Sequence, residues 1–194
     1  MIGGELRGRR LSAPVGPGVR PTSDRVREAI FDIIYSLGGV DGLQVADLFA
    51  GTGALGIEAL SRGAASVTFV DRSPDALAGV RANLVAVGLD RAERDGDATV
   101  VRADVDVWVA TTASRYDLIL CDPPYDYDGW DPLVAALPAD LAILESAGPV
   151  PAPPGWGIIK TKRYGGTIVT VTRPEPVTET ELVRETELVE KGAS

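Results

Sequence analysis

Two short stretches hold most of the chemistry this sequence can offer. The first runs from Asp47 through Phe49 and Ala50 to Gly51, Gly53 and Gly56, with the glycines in Gly-x-Gly-x-x-Gly spacing. Glycines so placed let the backbone turn tightly and approach a ligand, and a helix behind them presents unpaired N–H groups. Asp71 follows Gly51 by 20 residues, the separation at which an acid accepts from ribose hydroxyls in dinucleotide-binding folds. This pattern predicts a nucleoside cofactor and leaves open which one: a nicotinamide dinucleotide and S-adenosylmethionine (SAM) both remain. The second stretch is Asp122-Pro123-Pro124-Tyr125. Its prolines fix an extended backbone without N–H donors. Their carbonyls and the Asp122 carboxylate form a set of pure acceptors, which suits a substrate amino group, and Tyr125 adds a ring on which a base can stack. Hydride transfer needs none of this, so the second stretch favours a methyl donor.

Other chemistries are excluded by what is missing. The 194 residues include one cysteine, Cys121, and no histidine. An intramolecular disulfide, a Cys-cluster zinc site, Ser-His-Asp or Cys-His nucleophiles and His-ligated metals are therefore ruled out, and no metal is expected. With 45% hydrophobic and 24% charged residues, usage is that of a globular domain, which excludes wholesale disorder. No apolar run is long enough to span a membrane, and MIGGELRGRR lacks the apolar stretch of a signal peptide, so a cytoplasmic protein without a membrane partner is expected. A monomer is the expected state.

The net charge of −9 is unevenly spread. Residues 1–27 carry six arginines against Glu5 and Asp24, a balance of +4, which leaves −13 on the remainder. A basic arm on an acidic body can still meet phosphates through a local positive face. Arg7, Arg9, Arg10, Arg20, Arg25 and Arg27, with Thr22 at the end of the arm, are the candidate RNA contacts.

The elements that must hold these residues can be read from periodicity. Residues 2–13 suit a small β-hairpin or extended arm, and 14–21 a Pro/Gly connector. Thr22 or Ser23 caps a helix whose apolar positions, Val26, Ala29, Ile30, Ile33, Ile34 and Leu37, follow helical spacing up to Gly38-Gly39. Strands are predicted at 43–49, 66–71, 99–104 and 116–122. Helices are predicted at 54–62, from Pro74 behind the Ser73 cap to about Val87, and at 105–113. This alternation predicts an α/β fold with a doubly wound, mostly parallel, Rossmann-like sheet. The Asp122 strand should lie beside the Asp47 strand, both opening at the carboxyl edge where such sheets bind ligands. Beyond Tyr125 the pattern gives a helix at 133–137, a strand at 141–146 and a closing antiparallel hairpin around Gly165-Gly166. ETELV at 179–183 recurs at 185–189 and reads as an acidic tail or extra strand. Glu58 and Glu145 could face the site, but read more readily as solvated or helix-face carboxylates.

Asp-Pro-Pro-Tyr with the Gly-x-Gly loop resembles the class I SAM-dependent amino-methyltransferases. IGGELRGRRL, GVRPTSDRVREAIFDII, DLFAGTGALGIEALSRGAASVTFVD and YDLILCDPPY, in this order, resemble the RsmD-type bacterial 16S rRNA (guanine-N2) methyltransferases, densely over residues 2–35, 43–89 and 116–125. RYGGT at 163–167 is similar to that family's late Tyr-Gly hairpin, with Gly166 where an acid is expected. The resemblance implies methylation of a guanine, number 966 of 16S rRNA, in the small ribosomal subunit or its assembly intermediate. It implies that Asp47, Gly51 and Gly53, flanked by Phe49 and Ala50, line the methionine part of SAM. Asp71 would hold the ribose with Arg72 beside it, and Asp104 would meet the adenine amine or cap the following helix. Asp122, Pro123, Pro124 and Tyr125 would be the catalytic set. The chain then divides into an arm (1–22), a methyltransferase domain (23–175) and a tail (176–194). Two other readings stay open: an amino-methyltransferase acting on adenine or a protein amide, and a catalytically silent RNA-binding module on the same fold.

Overall fold

Five apolar runs, Gln44–Leu48 (β1), Ser66–Asp71 (β2), Ala98–Arg102 (β3), Tyr116–Cys121 (β4) and Ala139–Ser146 (β5), pair in parallel because a helix returns the chain between successive strands. A computed structural model describes residues 1–11 and 24–176. Trp156–Tyr164 (β6) and Thr167–Pro174 (β7) form the expected hairpin, and β7 inserts antiparallel between β5 and β6. The seven-stranded order is β3-β2-β1-β4-β5-β7-β6. β4 therefore lies beside β1, as the sequence predicts, with Leu48 opposite Cys121.

Alternate residues of each strand feed two cores. Asp24–Ser36 (α1), Ala54–Ser61 (α2) and Pro74–Ala86 (α3) cover one face, where Ile30, Phe31 and Ile34 pack with Val45, Phe69, Leu118 and Val169. Val105–Thr111 (α5) and Trp130–Ala136 (α6) cover the other, packing Val109, Leu133 and Val134 on Leu48, Val70, Ile119 and Leu144. Each such fully buried side chain contributes about 1.5–3 kcal/mol. Gly56 sets how closely α2 lies on β2, since a Cβ there would stand 2.4 Å from the Phe69 ring. A single turn, Ala92–Asp95 (α4), precedes β3; its four residues are too few to show a hydrophobic period.

The arm differs from the expected hairpin. Residues 1–11 form consecutive turns, with the Arg7 amide donating to the Gly4 carbonyl at 3.2 Å and that of Gly8 to Met1 at 3.1 Å. The reason is Glu58. Its buried carboxylate accepts from the Ile2 and Gly3 amides at 2.9 and 2.7 Å and from the Arg62 guanidinium at 2.8 Å. Those amides are thus used on α2 and cannot form a strand ladder. Gly4 fits only as glycine: its φ is +71° and a Cβ would stand 1.6 Å from the Ser61 carbonyl oxygen. Arg20, Thr22 and the ETELV repeat lie outside the described residues. Among those described, no helix is long and apolar enough to cross a membrane, and no group of three or more His, Cys, Asp or Glu side chains is placed to hold a metal.

Candidate active site

The carboxyl ends of β2, β1, β4 and β5 bring Asp71, Asp47, Asp122 and Glu145 to one edge of the sheet. Asp47 is buried, and its Oδ2 accepts from the Gly56 amide in the first turn of α2 at 2.8 Å. Burial, together with the negative charges of Asp122 and Asp71, holds its carboxyl well above the usual carboxylate range. Asp71 spans two loops. Its Oδ2 accepts from Gly51 at 2.9 Å and its Oδ1 from Ser73 at 2.8 Å. In the first of these loops, Phe49 has a φ of 57°, a conformation costly for a side chain with a Cβ and one that concentrates at functional sites. Thr52 is pinned from α3, where Asn83 Nδ2 donates to its carbonyl at 2.9 Å.

Asp104 caps α5, accepting from Asp106 at 3.1 Å and more weakly from Val107 at 3.4 Å, which leaves acceptor capacity toward a ligand. Arg72 is exposed beside Asp71. Neither Asp47 nor Asp71 is ion-paired among the described residues. An acidic edge of this kind favours a ligand that carries positive charge and hydrogen-bond donors.

The Asp122 amide reaches the Leu48 carbonyl at 3.4 Å, extending the β1–β4 pairing into the second motif. Pro123 is buried and Pro124 exposed. Tyr125 is 54% exposed, so a ring face is open, yet its hydroxyl and Thr167 Oγ1 share a hydrogen bond at 3.1 Å. This fixes the ring against the start of β7. Tyr127 performs a second linkage. Its ring lies 5.2 Å from Phe49 and 5.3 Å from Trp130, and its hydroxyl donates to Asp106 at 2.5 Å. Burial and then the Asp106 carboxylate push the Tyr127 phenol up. The glycine loop, the Asp-Pro-Pro-Tyr loop and α6 are therefore packed as one unit.

The model of the family described as Conserved hypothetical protein 95 matches residues 1–173. The chain belongs to this RsmD-type methyltransferase family. Escherichia coli ribosomal RNA small subunit methyltransferase D is 37% identical over 125 residues, 64% of this chain and 59% of that protein. The putative rRNA methyltransferase YlbH of Bacillus subtilis is 41% identical over 128 residues, 64% of this chain and 66% of that protein. In both matches the chain spans less than two thirds of the relative's length. A solved structure of the putative methyltransferase yhhF from Escherichia coli superposes with a TM-score of 0.76 and 30% identity, covering 91% of this chain and 98% of that one. The fold is thus that of the class I methyltransferases that the two motifs resemble.

The sequence-predicted site residues separate into two groups. Asp47, Phe49, Ala50, Gly51, Gly53, Asp71, Arg72, Asp104 and the Asp122–Tyr125 motif all lie at the carboxyl edge, on β1 and β2 or in the loops that follow β1–β4. The arm residues do not act alike. Arg7, Arg9, Arg10 and Arg25 are exposed, but the Arg9 guanidinium also donates to the Val87 carbonyl at the end of α3. Arg27 is buried, 2.6 Å from Asp24 and 3.9 Å from Glu58. Glu58 and Glu145 are buried rather than solvated. The signal for Glu58 is the run of buried small and apolar neighbours around it on α2; the signal for Glu145 is its place at the end of an apolar strand.

Proposed function

We propose that the protein transfers a methyl group from SAM to the exocyclic N2 of a guanine in 16S rRNA, guanine 966, in the small ribosomal subunit or its assembly intermediate. The observation that carries the reading is the placement of Asp122-Pro-Pro-Tyr125 directly beside the glycine loop of β1, in a chain of the RsmD-type family. The relatives' names, a small subunit rRNA methyltransferase and a putative rRNA methyltransferase, support RNA as the substrate.

When bound, SAM supplies a methyl group activated by its sulfonium. Asp47, Gly51 and Gly53 would hold its methionine part, Asp71 its ribose and Asp104 its adenine. Guanine N2 is a weak nucleophile because its lone pair is delocalised into the ring. Asp122 and the Pro123 carbonyl accept from its N–H bonds, draw density onto nitrogen and stabilise the positive charge that develops there. Tyr125 stacks on the base once it has left its own stack, a step cheapest in an RNA loop. N2 then loses one proton to solvent, so no histidine is needed.

The test is transfer of a tritiated methyl group from SAM to small subunits lacking the modification, followed by nucleoside analysis. N2-methylguanosine is the expected product. A labelled adenosine, or a labelled protein, would replace this reading.

A further inference from the structure

Glu145 is a buried acid that the reaction above leaves unused. The β4–β5 register places Cys121 opposite Leu144, so the next positions, Asp122 and Glu145, are neighbours across the two strands. Glu145 alternates with Leu144 and thus shares its sheet face with Ile143 and Asp47, the face toward α1 and α2. The residue is 6% exposed, and its Oε2 has no hydrogen-bond partner among the described residues. Across β7 it faces Val169, one alternation from Thr167, which holds the Tyr125 hydroxyl. A buried carboxyl oxygen without a partner is destabilising. Here it lies beside Asp122 of the acceptor set, where a donor on the substrate would satisfy it.

We propose that Glu145 forms the floor of the base pocket and accepts from the N1–H of the target guanine while Asp122 accepts from its N2 amine. This rests on the proposed function and deepens it, because it says how the base is chosen. Guanine presents two adjacent donors, N1–H and N2–H. Adenine and cytosine each present an amine beside an acceptor nitrogen, which would set lone pair against lone pair at an ionised Glu145. In the free protein, burial and the neighbouring Asp122 charge push the Glu145 carboxyl up to about 8. The incoming N1–H favours the ionised form, so base binding releases the proton.

The experiment, run above about pH 8 so that Glu145 is ionised, compares an RNA fragment carrying the target guanine with the same fragment carrying 2-aminopurine, which keeps the amine but has an acceptor at N1. Wild-type protein should methylate guanine at least tenfold faster in kcat/KM, the scale of one hydrogen bond to a charged acceptor. Glu145→Gln, which offers an amide donor, should lower the guanine rate and narrow or invert the ratio, with SAM affinity unchanged. Equal wild-type rates on the two bases, a preference for 2-aminopurine, or an unchanged ratio in Glu145→Gln would overturn the proposal. The wild-type comparison decides even if the variant does not fold. Absence of transfer to any guanine would instead overturn the functional reading, and this inference with it.

A separate observation concerns the edge strand. Residues 156–174 carry Lys160, Lys162, Arg163 and Arg173 and no acid, in a chain of net charge −9. None of these cations is ion-paired among the described residues. Lys160 pairs with Val171, Lys162 with Val169 and Tyr164 with Thr167, so the two lysines share a sheet face that ends where Tyr125 is held, while Arg163 adds charge on the other face. We infer that β6 carries the RNA backbone toward the base pocket, a role in phosphate binding that the arm alone would not fill. Replacing Lys160, Lys162 and Arg163 with Gln should leave SAM affinity unchanged. The log–log salt dependence of RNA binding should flatten by about 0.7–0.9 for each phosphate no longer neutralised. An unchanged slope, or wild-type protein that binds no RNA, would overturn this.

Discussion

The Asp71 carboxylate accepts from the Gly51 amide 2.9 Å away, across the crevice between β2 and β1. The residue expected to hold the ribose therefore also sets the loop on which the rest of the cofactor lies. Its other oxygen holds Ser73, the cap of α3. Asp71→Ala should weaken SAM binding by more than the value of a single ribose hydrogen bond, about 3 kcal/mol or above on the scale for bonds to a charged acceptor. Asp71→Asn keeps one acceptor and should lose less. Titration calorimetry of both variants, with melting temperatures as the control for folding, checks this. Unchanged affinity in a folded Asp71→Ala protein would remove Asp71 from the site.

Asp122 and Tyr125 should affect turnover instead. Asp122→Ala is expected to abolish methyl transfer with SAM affinity near normal, and Asp122→Asn to be milder because a carbonyl acceptor remains. Tyr125→Phe keeps the stacking face but frees it from Thr167. It should fall between wild type and Tyr125→Ala, and Thr167→Val should match it. The double variant Tyr125→Phe/Thr167→Val should then be no worse than either single one, since both remove the same bond. Single-turnover rates on the RNA substrate decide; equal rates for Phe and Ala at 125 would refute the stacking role.

Glu145 gives a pH prediction that needs no substrate. Its carboxyl moves from an ordinary value of 4.5 up to about 8 in the folded chain, through burial first and the Asp122 charge second. β7 faces it with Val169 and Thr167, which do not titrate. Between these two values the folded state binds more protons than the unfolded state, so stability falls as pH rises through the window. The contribution is fully present below about pH 4.5 and is lost as pH rises through about 8. Urea melts from about pH 5 to about 8.5 should show the decline, and Glu145→Gln should lessen it, leaving the part that the raised Asp47 carboxyl contributes. A wild-type profile no steeper than that of the variant would show that Glu145 is ionised throughout.

Much of this was legible because the sheet obeys local rules. Alternating apolar runs, the Ser73 cap with Pro74 behind it, and paired glycines place β1 to β5 and α1, α2, α3 and α5 within a few residues. The carboxyl edge follows from topology, so Asp47, Asp71 and Asp122 could be assigned to it from their positions at strand ends. The arm could not. A Gly- and Arg-rich segment reads as a hairpin or a phosphate grip, and only the long-range bonds to Glu58 and Ser61 decide its turns. Arg9 and Arg27 look like surface cations in sequence, yet one caps a helix and the other fills the space beside Glu58. Burial of a charged residue depends on partners far along the chain, and periodicity does not register them.

The arginines of the arm and of α1 therefore divide into two kinds. Arg7, Arg10 and Arg25 remain as exposed cations, whereas replacing Arg9 would first expose the end of α3. The expected outcome for Arg7→Ala/Arg10→Ala/Arg25→Ala is weaker RNA binding and a salt slope reduced by about 0.7–0.9 for each phosphate no longer neutralised. SAM affinity should not change, because the glycine loop and Asp71 make no bond to these side chains. Arg9→Ala should behave in the opposite way, lowering the melting temperature with an unchanged salt slope, since its guanidinium is held by the Val87 carbonyl. Filter binding of the RNA across a salt series, run on both proteins beside thermal melts, separates the two roles. If the triple variant lost stability and kept the wild-type slope, the arm would be a structural clamp on α2 and α3, and the phosphates would have to be held elsewhere on the surface.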